Sequence, residues 1–128
     1  MKVLLIGSGG REHALGLRML QDADVDAVFV LPGTPGMKST KNLFPINSSH
    51  VTFENALSIV KDKKISLVVI GPEWPLFQGW VDQFTKEGIP AFGPTKAAAI
   101  LEESKISSKF FMFDNQIPTA LFKVSKSL

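Results

Sequence analysis

Three short apolar runs recur along the chain, and glycine or a Pro-Gly pair soon follows each of them. They span residues 3–6, 27–31 and 67–70. Because the runs are continuous and do not alternate with polar residues, they predict strands buried on both faces, as in parallel sheets. A further short run at residues 89–92 predicts a fourth strand, in which Pro90 cannot donate a ladder hydrogen bond.

Stretches with the apolar spacing of helices lie between these strands, at residues 11–20, 53–63 and 76–87. The third is expected to end at Gly88, a residue type common just past a helix. The apolar residues expected to share one face are Ala14, Leu15, Leu17 and Leu20 in the first helix, and Ala56, Leu57 and Val60 in the second. Alternating strands and helices predict an open α/β sheet with helices on both faces and at least four parallel strands, in the order 3-2-1-4 or its doubly wound variant.

Two segments depart from this alternation of strands and helices. Residues 32–49 are rich in glycine, proline and small polar residues, and long connections of this kind are usually functional or mobile. After Thr95, a helix-capping residue type, residues 96–101 and 104–114 predict two short helices. Residues 119–124 then predict a strand with nothing after it to pair with, which we interpret as the opening of a further domain.

The composition is that of an ordinary globular domain. The chain has 128 residues, of which 45% are hydrophobic and 20% charged, so disorder is excluded. It has no cysteine and only two histidines, which excludes disulfides, a thiol nucleophile and the usual zinc sites. A net charge of +2 without long basic runs gives no indication of nucleic-acid binding. The first apolar run is too short for a signal peptide or a membrane span, so we expect a cytoplasmic protein without a membrane partner.

A glycine-rich segment, residues 7–13 (GSGGREH), joins the first strand to the first helix. Glycine lets the backbone turn sharply and approach a ligand, and the N–H groups at the start of a helix favour an anion such as phosphate. A dinucleotide site would need glycine at position 12 and an acidic residue at the end of the second strand. Position 12 is Glu12, and the second strand ends at Pro32 and Gly33, which counts against NAD. A tight strand-to-helix turn that holds no ligand also explains the glycines.

The other predicted strands also end in glycine-containing loops. Residues 32–36 (PGTPG), 71–73 (GPE) and 93–95 (GPT) lie at the carboxyl edge of the sheet, where open α/β proteins bind their ligands. Glu73 there would face the glycine-rich turn and suits a ligand that carries phosphate together with hydroxyls or an amine. Alternatively, Glu73 only caps or solvates the helix that follows it.

Segments spread over nearly the whole chain resemble, in the same order, the glycinamide ribonucleotide synthetase family, also called the phosphoribosylamine–glycine ligases. The segments are residues 3–15 (VLLIGSGGREHAL), 32–36 (PGTPG), 69–76 (VIGPEWPL), 92–95 (FGPT), 101–105 (LEESK) and 117–120 (IPTA). Members of this ATP-grasp family form 5-phosphoribosylglycinamide from 5-phosphoribosylamine, glycine and ATP in de novo purine biosynthesis. None of these segments alone would be specific to the family, but their combination is.

The resemblance implies that residues 1–100 form a Rossmann-like (pre-ATP-grasp) domain that binds the phosphoribosyl substrate. Residues 101–128 would be a helical linker and the first strand of an ATP-grasp domain. ATP and magnesium would be bound by domains of the ligase that this chain lacks. The chain alone is therefore expected to be inactive, without cofactor, metal or catalytic residues of its own, and to have the remainder of the ligase as its partner. The substrate-binding residues implied are Gly9, Gly10, Arg11, Glu12, Gly33, Gly36, Pro72 and Glu73.

Several aromatic residues depart from the family pattern or suggest a ligand cluster. Trp74 and Trp80 stand where the family usually has small or aliphatic residues, and Phe77 precedes Gln78 in place of an apolar pair. Trp74 either narrows the edge near Glu73 or packs on the following helix, and packing is the interpretation we favour. Three phenylalanines at residues 110–113 have the spacing of a core or domain interface, and some are expected to be exposed.

Three functions from different classes stay open on the sequence. The chain is a fragment of the ligase, a stand-alone binding module for a phosphoribosyl compound or nucleotide, or a dinucleotide-binding subunit of an oxidoreductase or transport regulator. The missing acidic residue after the second strand disfavours the third. The unpaired strand expected at residues 119–124 favours the first over the second.

Overall fold

A computed structural model describes residues 1–125 of the chain. Its five strands are all parallel and form one open sheet in the order β3-β2-β1-β4-β5. The strands are β1 (Lys2–Gly7), β2 (Ala27–Pro32), β3 (Leu43–Pro45), β4 (Leu67–Ile70) and β5 (Ala91–Phe92). The predicted Rossmann-like α/β class is confirmed.

Six α-helices and one 3-10 helix connect and extend the described sheet. They are α1 (Gly10–Met19), the 3-10 helix (Pro35–Ser39), α2 (Phe53–Lys63), α3 (Glu73–Phe77), α4 (Trp80–Lys86), α5 (Lys96–Glu103) and α6 (Lys105–Asp114). Thr52 and Thr95 cap α2 and α5 by accepting the N–H groups of Asn55 and Ala98. Each cap provides a partner for one of the N–H groups that a helix start leaves unpaired.

Successive residues of β1 point to opposite faces of the sheet, and each face is covered by helices. Leu4 and Ile6 pack with α2 and α4, whereas Val3 and Leu5 pack toward α1 and the 3-10 helix. Both pairs are essentially without solvent exposure. The strand is therefore buried on both sides, which is why its sequence is a continuous apolar run.

The strand order contains one correction to the sequence-based prediction. The third strand in the order 3-2-1-4-5 is β3, which lies inside the segment predicted as a long connection. The run at residues 67–70 is the fourth strand, and it pairs with β1 instead of lying beyond β2. The predicted strand at residues 89–92 shortens to β5.

Helix α1 buries a different face from the one predicted. Leu15 and Leu17 are 37% and 41% exposed, and the buried residues are Glu12 and Gly16. Gly16 lies so close to the sheet that a Cβ there would be 2.8 Å from Leu43 Cδ1. Close approach of the helix to β3, and not the placement of leucines, decides which side of α1 faces the sheet. The predicted face of α2 is confirmed, with Ala56 and Val60 buried.

The single helix predicted at residues 76–87 is two helices. Gly79 has a φ of 76° and separates α3 from α4. Because this left-handed conformation is unfavourable for residues with a Cβ, glycine marks the break. Trp80 begins α4 and is buried against Phe53 and Phe84, with ring centroids 5.9 and 6.4 Å away.

The last described part of the chain lies outside the core, and none of residues 101–125 is buried. Residues 119–124 form no strand, so the support that an unpaired strand gave to the fragment interpretation is lost. Helix α6 packs on α5 and has no buried residue. The expected exposure of its phenylalanines is confirmed, and Phe113 is 73% exposed. Residues 126–128, in the second of the predicted domains, lie outside the described part.

Candidate functional site

A small cleft opens at the carboxyl edge of the sheet, where the loops after β1, β2 and β4 meet. Its volume is about 250 Å³. The residues that line it are Ile6, Gly7, Ser8, Gly9, Glu12, Leu31, Pro32, Val51, Pro72 and Trp74. The ligand sites of open α/β proteins lie at this edge, so the cleft is the candidate site.

Glu12 occupies the inner wall of this cleft. It is only 4% exposed, and its Oε2 accepts the backbone N–H of Gly9 at 2.7 Å. Gly9 is the N-cap of α1 and Glu12 its third residue, so the bond is one half of a capping box. The carboxylate thus binds an N–H group that would otherwise be open to an external anion.

Two glycines make room for this carboxylate. A Cβ on Gly7, which has a φ of 130°, would lie 2.5 Å from Glu12 Cγ. A Cβ on Gly71 would lie 2.5 Å from Glu12 Oε1. Both distances are shorter than any van der Waals contact. The glycines that end β1 and follow β4 therefore accommodate a side chain of the protein itself.

Arg11 joins the two loops on either side of the site. Its Nε donates to Glu12 Oε1 at 3.1 Å, and its two terminal nitrogens lie 3.3 Å from Glu73 Oε1. One of these nitrogens also donates to the carbonyl oxygen of Gly71 at 2.9 Å. These partners raise the pKa of Arg11, chiefly through the hydrogen bond to Glu12 and then through Glu73. Arg11 is therefore a fixed positive charge between two carboxylates.

Glu73 is the first residue of α3 and is accessible to solvent. Its own backbone N–H and then the Arg11 guanidinium lower the pKa of its carboxyl. Glu73 is thus ionised near neutral pH and able to accept hydrogen bonds. The structure is compatible with both sequence-based interpretations of Glu73, because this residue lies in the first turn of a helix and also faces the glycine-rich turn.

The eight predicted site residues gather at one edge but not in one pocket. Gly9, Glu12 and Pro72 line the cleft, and Arg11 binds Glu73 beside it. The other three predicted residues, Gly10, Gly33 and Gly36, are not among the lining residues. Gly10 begins α1, where a Cβ would contact nothing, and Gly33 donates its N–H to the carbonyl oxygen of Gly7. Gly36 lies in the 3-10 helix and is exposed.

Sequence reasoning missed some of the lining residues. Ser8, Leu31, Pro32 and Val51 belong to the wall but were not assigned to the site. For Trp74 we favoured packing over a role at the edge near Glu73, and the structure shows both. Its ring packs edge-on against that of Trp80, with centroids 5.1 Å apart, and Trp74 also lines the cleft. The one available signal was its position directly after Glu73. Val51 could not be recognised from the sequence, since it lies in the irregular connection between β3 and α2.

Residues 1–125 carry neither a metal-binding cluster of side chains nor a membrane-spanning helix. No group of acidic or histidine side chains in this range is arranged to hold a metal ion. None of the helices described is both long and apolar enough to cross a bilayer.

Parallel strands in an open, doubly wound order, with a glycine-rich turn before the first helix, define a Rossmann-like domain. Such a fold hosts many functions, so the class alone assigns none. The family model of the phosphoribosylglycinamide synthetase N domain matches residues 1–102, and the chain belongs to this family.

Matches to related proteins extend beyond the N domain. The phosphoribosylamine–glycine ligase of Vibrio vulnificus is 46% identical over 122 residues, which are 95% of this chain and 28% of that protein. The trifunctional purine biosynthetic protein adenosine-3 of Gallus gallus is 46% identical over 125 residues, 12% of its length. The chain thus spans little more than a quarter of the length of the ligase. Among solved structures, RSP, a Rex-family repressor, matches 89% of this chain and 62% of its own with a TM-score of 0.44 and 12% identity.

Proposed function

We propose that this chain supplies the phosphoribosylamine-binding wall of a phosphoribosylamine–glycine ligase, which joins 5-phosphoribosylamine and glycine at the expense of ATP. Family membership supports the ligase assignment. The observation that carries the site assignment is the bridge between Arg11 and Glu73, which places a fixed cation and an ionised carboxylate beside the open start of α1.

The proposed roles follow from what each group has available. The backbone N–H groups of Gly10 and Arg11, at the first two positions of α1, have no partner within the helix and suit the substrate phosphate. Glu73 accepts hydrogen bonds from the ribose hydroxyls or from the amine. Glu12, Gly33 and Pro72 shape the turn, since Glu12 and Gly33 already bind other parts of the chain. Gly36 would contact only a part of the ligand that extends past the 3-10 helix.

ATP and magnesium belong to other domains in this proposal. Mg²⁺ at nucleotide sites is bound by one or two carboxylates together with the phosphates of the nucleotide, and the part of the ligase relative that aligns with this chain is only 28% of its length. Transfer of phosphate from ATP would therefore take place on domains that correspond to the rest of the relatives. The alternative, a stand-alone phosphoribosyl-binding module, would use the same cleft without such a partner.

An apolar surface on α6 fits those further domains. Residues 119–122 fold back against α6 and form with it a cavity of about 280 Å³, lined almost wholly by apolar atoms of Phe110, Phe113, Leu121 and Phe122. The relatives align through this region, which lies past the N-domain match, and continue far beyond it. We therefore assign this surface to a domain equivalent to the next part of the ligase, because exposed apolar patches of this kind mark interaction sites.

A hybrid ligase tests the site assignment. The whole chain replaces the aligned residues of the Vibrio vulnificus enzyme, and ADP release is measured with phosphoribosylamine, glycine and ATP. The hybrid should be active. Glu73→Gln in it should raise the KM for phosphoribosylamine by about tenfold, as expected for the loss of a hydrogen bond to a charged group, and leave the KM for ATP unchanged.

Glu54→Gln is the matched control. Glu54 is an exposed glutamate in the first turn of α2 and is not among the residues that line the cleft, so both KM values should stay as in the unmodified hybrid. An inactive hybrid would contradict the ligase assignment. A Glu73→Gln variant that impairs the use of ATP and leaves phosphoribosylamine untouched would contradict the site.

A further inference from the structure

We propose that Glu12 is a specificity-determining residue that keeps diphosphate ligands out of the turn between β1 and α1. Its own carboxylate takes the place that such a ligand would need. The proposal concerns which ligands are excluded from the turn, so it does not depend on the ligase assignment. Its test uses inorganic pyrophosphate, and either hypothesis can fail without the other.

The first step concerns the innermost N–H group of the turn. Dinucleotides place their pyrophosphate at the N-terminus of the helix that follows the first strand. Here the N–H of Gly9 already donates to Glu12 Oε2 at 2.7 Å, a charge-assisted hydrogen bond. An incoming phosphoryl oxygen would have to displace this carboxylate to reach the same donor.

The second step concerns space. Glu12 is 4% exposed and lies against Gly7 and Gly71 with no room even for a methyl group on either. The gap between the ends of β1 and β4 is therefore full. A side chain this enclosed cannot swing into solvent without breaking its bonds to Gly9 and Arg11.

The third step concerns charge. An anion approaching Gly9 would meet a second anion, the Glu12 carboxylate, within contact distance. Like charges at such a distance repel strongly where water is partly excluded. Farther out, the N–H groups of Gly10 and Arg11 are free of this obstacle, and a Cβ on Gly10 contacts nothing within 4 Å. One phosphate can therefore approach the outer part of the turn, but a diphosphate cannot use the inner part as well.

Amide chemical shifts of the unmodified chain test the proposal directly. Pyrophosphate is titrated into ¹⁵N-labelled protein, with inorganic phosphate as the comparison. The Gly9 amide signal should stay in place with both anions. A Gly9 signal that moves with pyrophosphate as much as those of Gly10 and Arg11 would overturn the proposal.

A gain of binding is the complementary test. Glu12→Gly empties the gap, so pyrophosphate should bind at least about tenfold more tightly than to the unmodified chain, and the Gly9 amide should now shift. Glu12→Gln keeps the volume of the side chain and removes its charge, so the affinity for pyrophosphate should increase much less. Glu54→Gly makes the same change in the first turn of α2 and should gain nothing. A folded Glu12→Gly variant without any gain would refute the proposal, and if that variant does not fold, the titration of the unmodified chain decides.

Discussion

The backbone N–H of Gly9 donates to the buried carboxylate of Glu12 at 2.7 Å, so the chain itself occupies the innermost N–H group at the start of α1. This bond requires that the ends of β1 and β4 carry no side chain where they pass Glu12. Gly7 and Gly71 therefore have a structural role that is independent of any ligand.

Gly71→Ala should destabilise the fold, because the new Cβ would lie 2.5 Å from Glu12 Oε1 and 2.7 Å from its Cγ. We expect the free energy of unfolding to fall by about 1–3 kcal/mol, as for other overpacked sites, and urea denaturation would measure it. Gly36→Ala is the control, since a Cβ there meets nothing and the change should stay within about 0.5 kcal/mol.

The same clash predicts a coupling. With Glu12→Gly already present, adding Gly71→Ala should lower the free energy of unfolding much less than it does alone, because the side chain with which the new Cβ clashes has been removed. Strictly additive costs in the four-variant cycle would show that Gly71 is required for another reason.

Gly10→Val separates binding from stability. A Cβ on Gly10 would meet no atom from another part of the chain, so the free energy of unfolding should change by less than about 0.5 kcal/mol. In the hybrid ligase, however, the branched side chain would stand in the path of the substrate phosphate, and the KM for phosphoribosylamine should rise by at least about tenfold. Unchanged use of phosphoribosylamine would mean that the substrate approaches elsewhere.

The titration of Glu73 tests the bridge to Arg11. Its pKa lies below the ordinary 4.5, first because its own backbone N–H binds the carboxylate and second because of Arg11. A carboxyl with a lowered pKa stabilises the folded state above its unfolded pKa and loses that contribution as the pH falls through the lowered value. Arg11→Gln should raise the pKa of Glu73 part of the way toward 4.5, as read from the carboxyl ¹³C shift. A pKa that does not move would show that the bridge is absent in solution.

The purified chain should release no ADP when it is mixed with phosphoribosylamine, glycine and ATP. It should also show no saturable ATP binding by calorimetry, because the proposed ATP and magnesium groups lie on other domains. Turnover by the 128-residue chain alone would contradict that division of the site.

Phe113→Ser tests the apolar surface on α6. Phe113 is 73% exposed, so its loss should leave the unfolding transition nearly unchanged. In the hybrid ligase it should lower the thermal stability of the whole enzyme, because there the ring would be buried against the next domain. Ser58→Ala, on the exposed side of α2, is the control for a substitution on another helix. Equal stability of the two hybrids would argue against the docking assignment.

The positions of the central strands along the chain were predicted well, although the place of β4 in the strand order was not. Strands β1, β2 and β4 are covered on both faces, so their residues are apolar without interruption and the pattern is unambiguous. Helix α2 was predicted with its bounds because its apolar residues recur on one side. Gathering of the site residues at the carboxyl edge followed from the parallel arrangement alone.

The elements that were missed depend on distant contacts. Strand β3 is three residues long and lies in a proline-rich segment, and only its pairing with β2 makes it a strand. The buried face of α1 is set by Gly16 against Leu43 and by Glu12 in the gap beside Gly71. A buried glutamate has no apolar signature, so no hydrophobic pattern predicts it.

The edges of the sheet have a consequence for how the protein behaves at high concentration. Strand β3 ends in Pro45, which has no N–H to offer, and β5 is two residues long between Pro90 and Pro94. An exposed strand edge templates the addition of further strands from other molecules, and short, proline-bearing edges block it. Fibril growth by edge-to-edge stacking therefore has no starting point at either margin of this sheet, and concentrated solutions should resist conversion to amyloid.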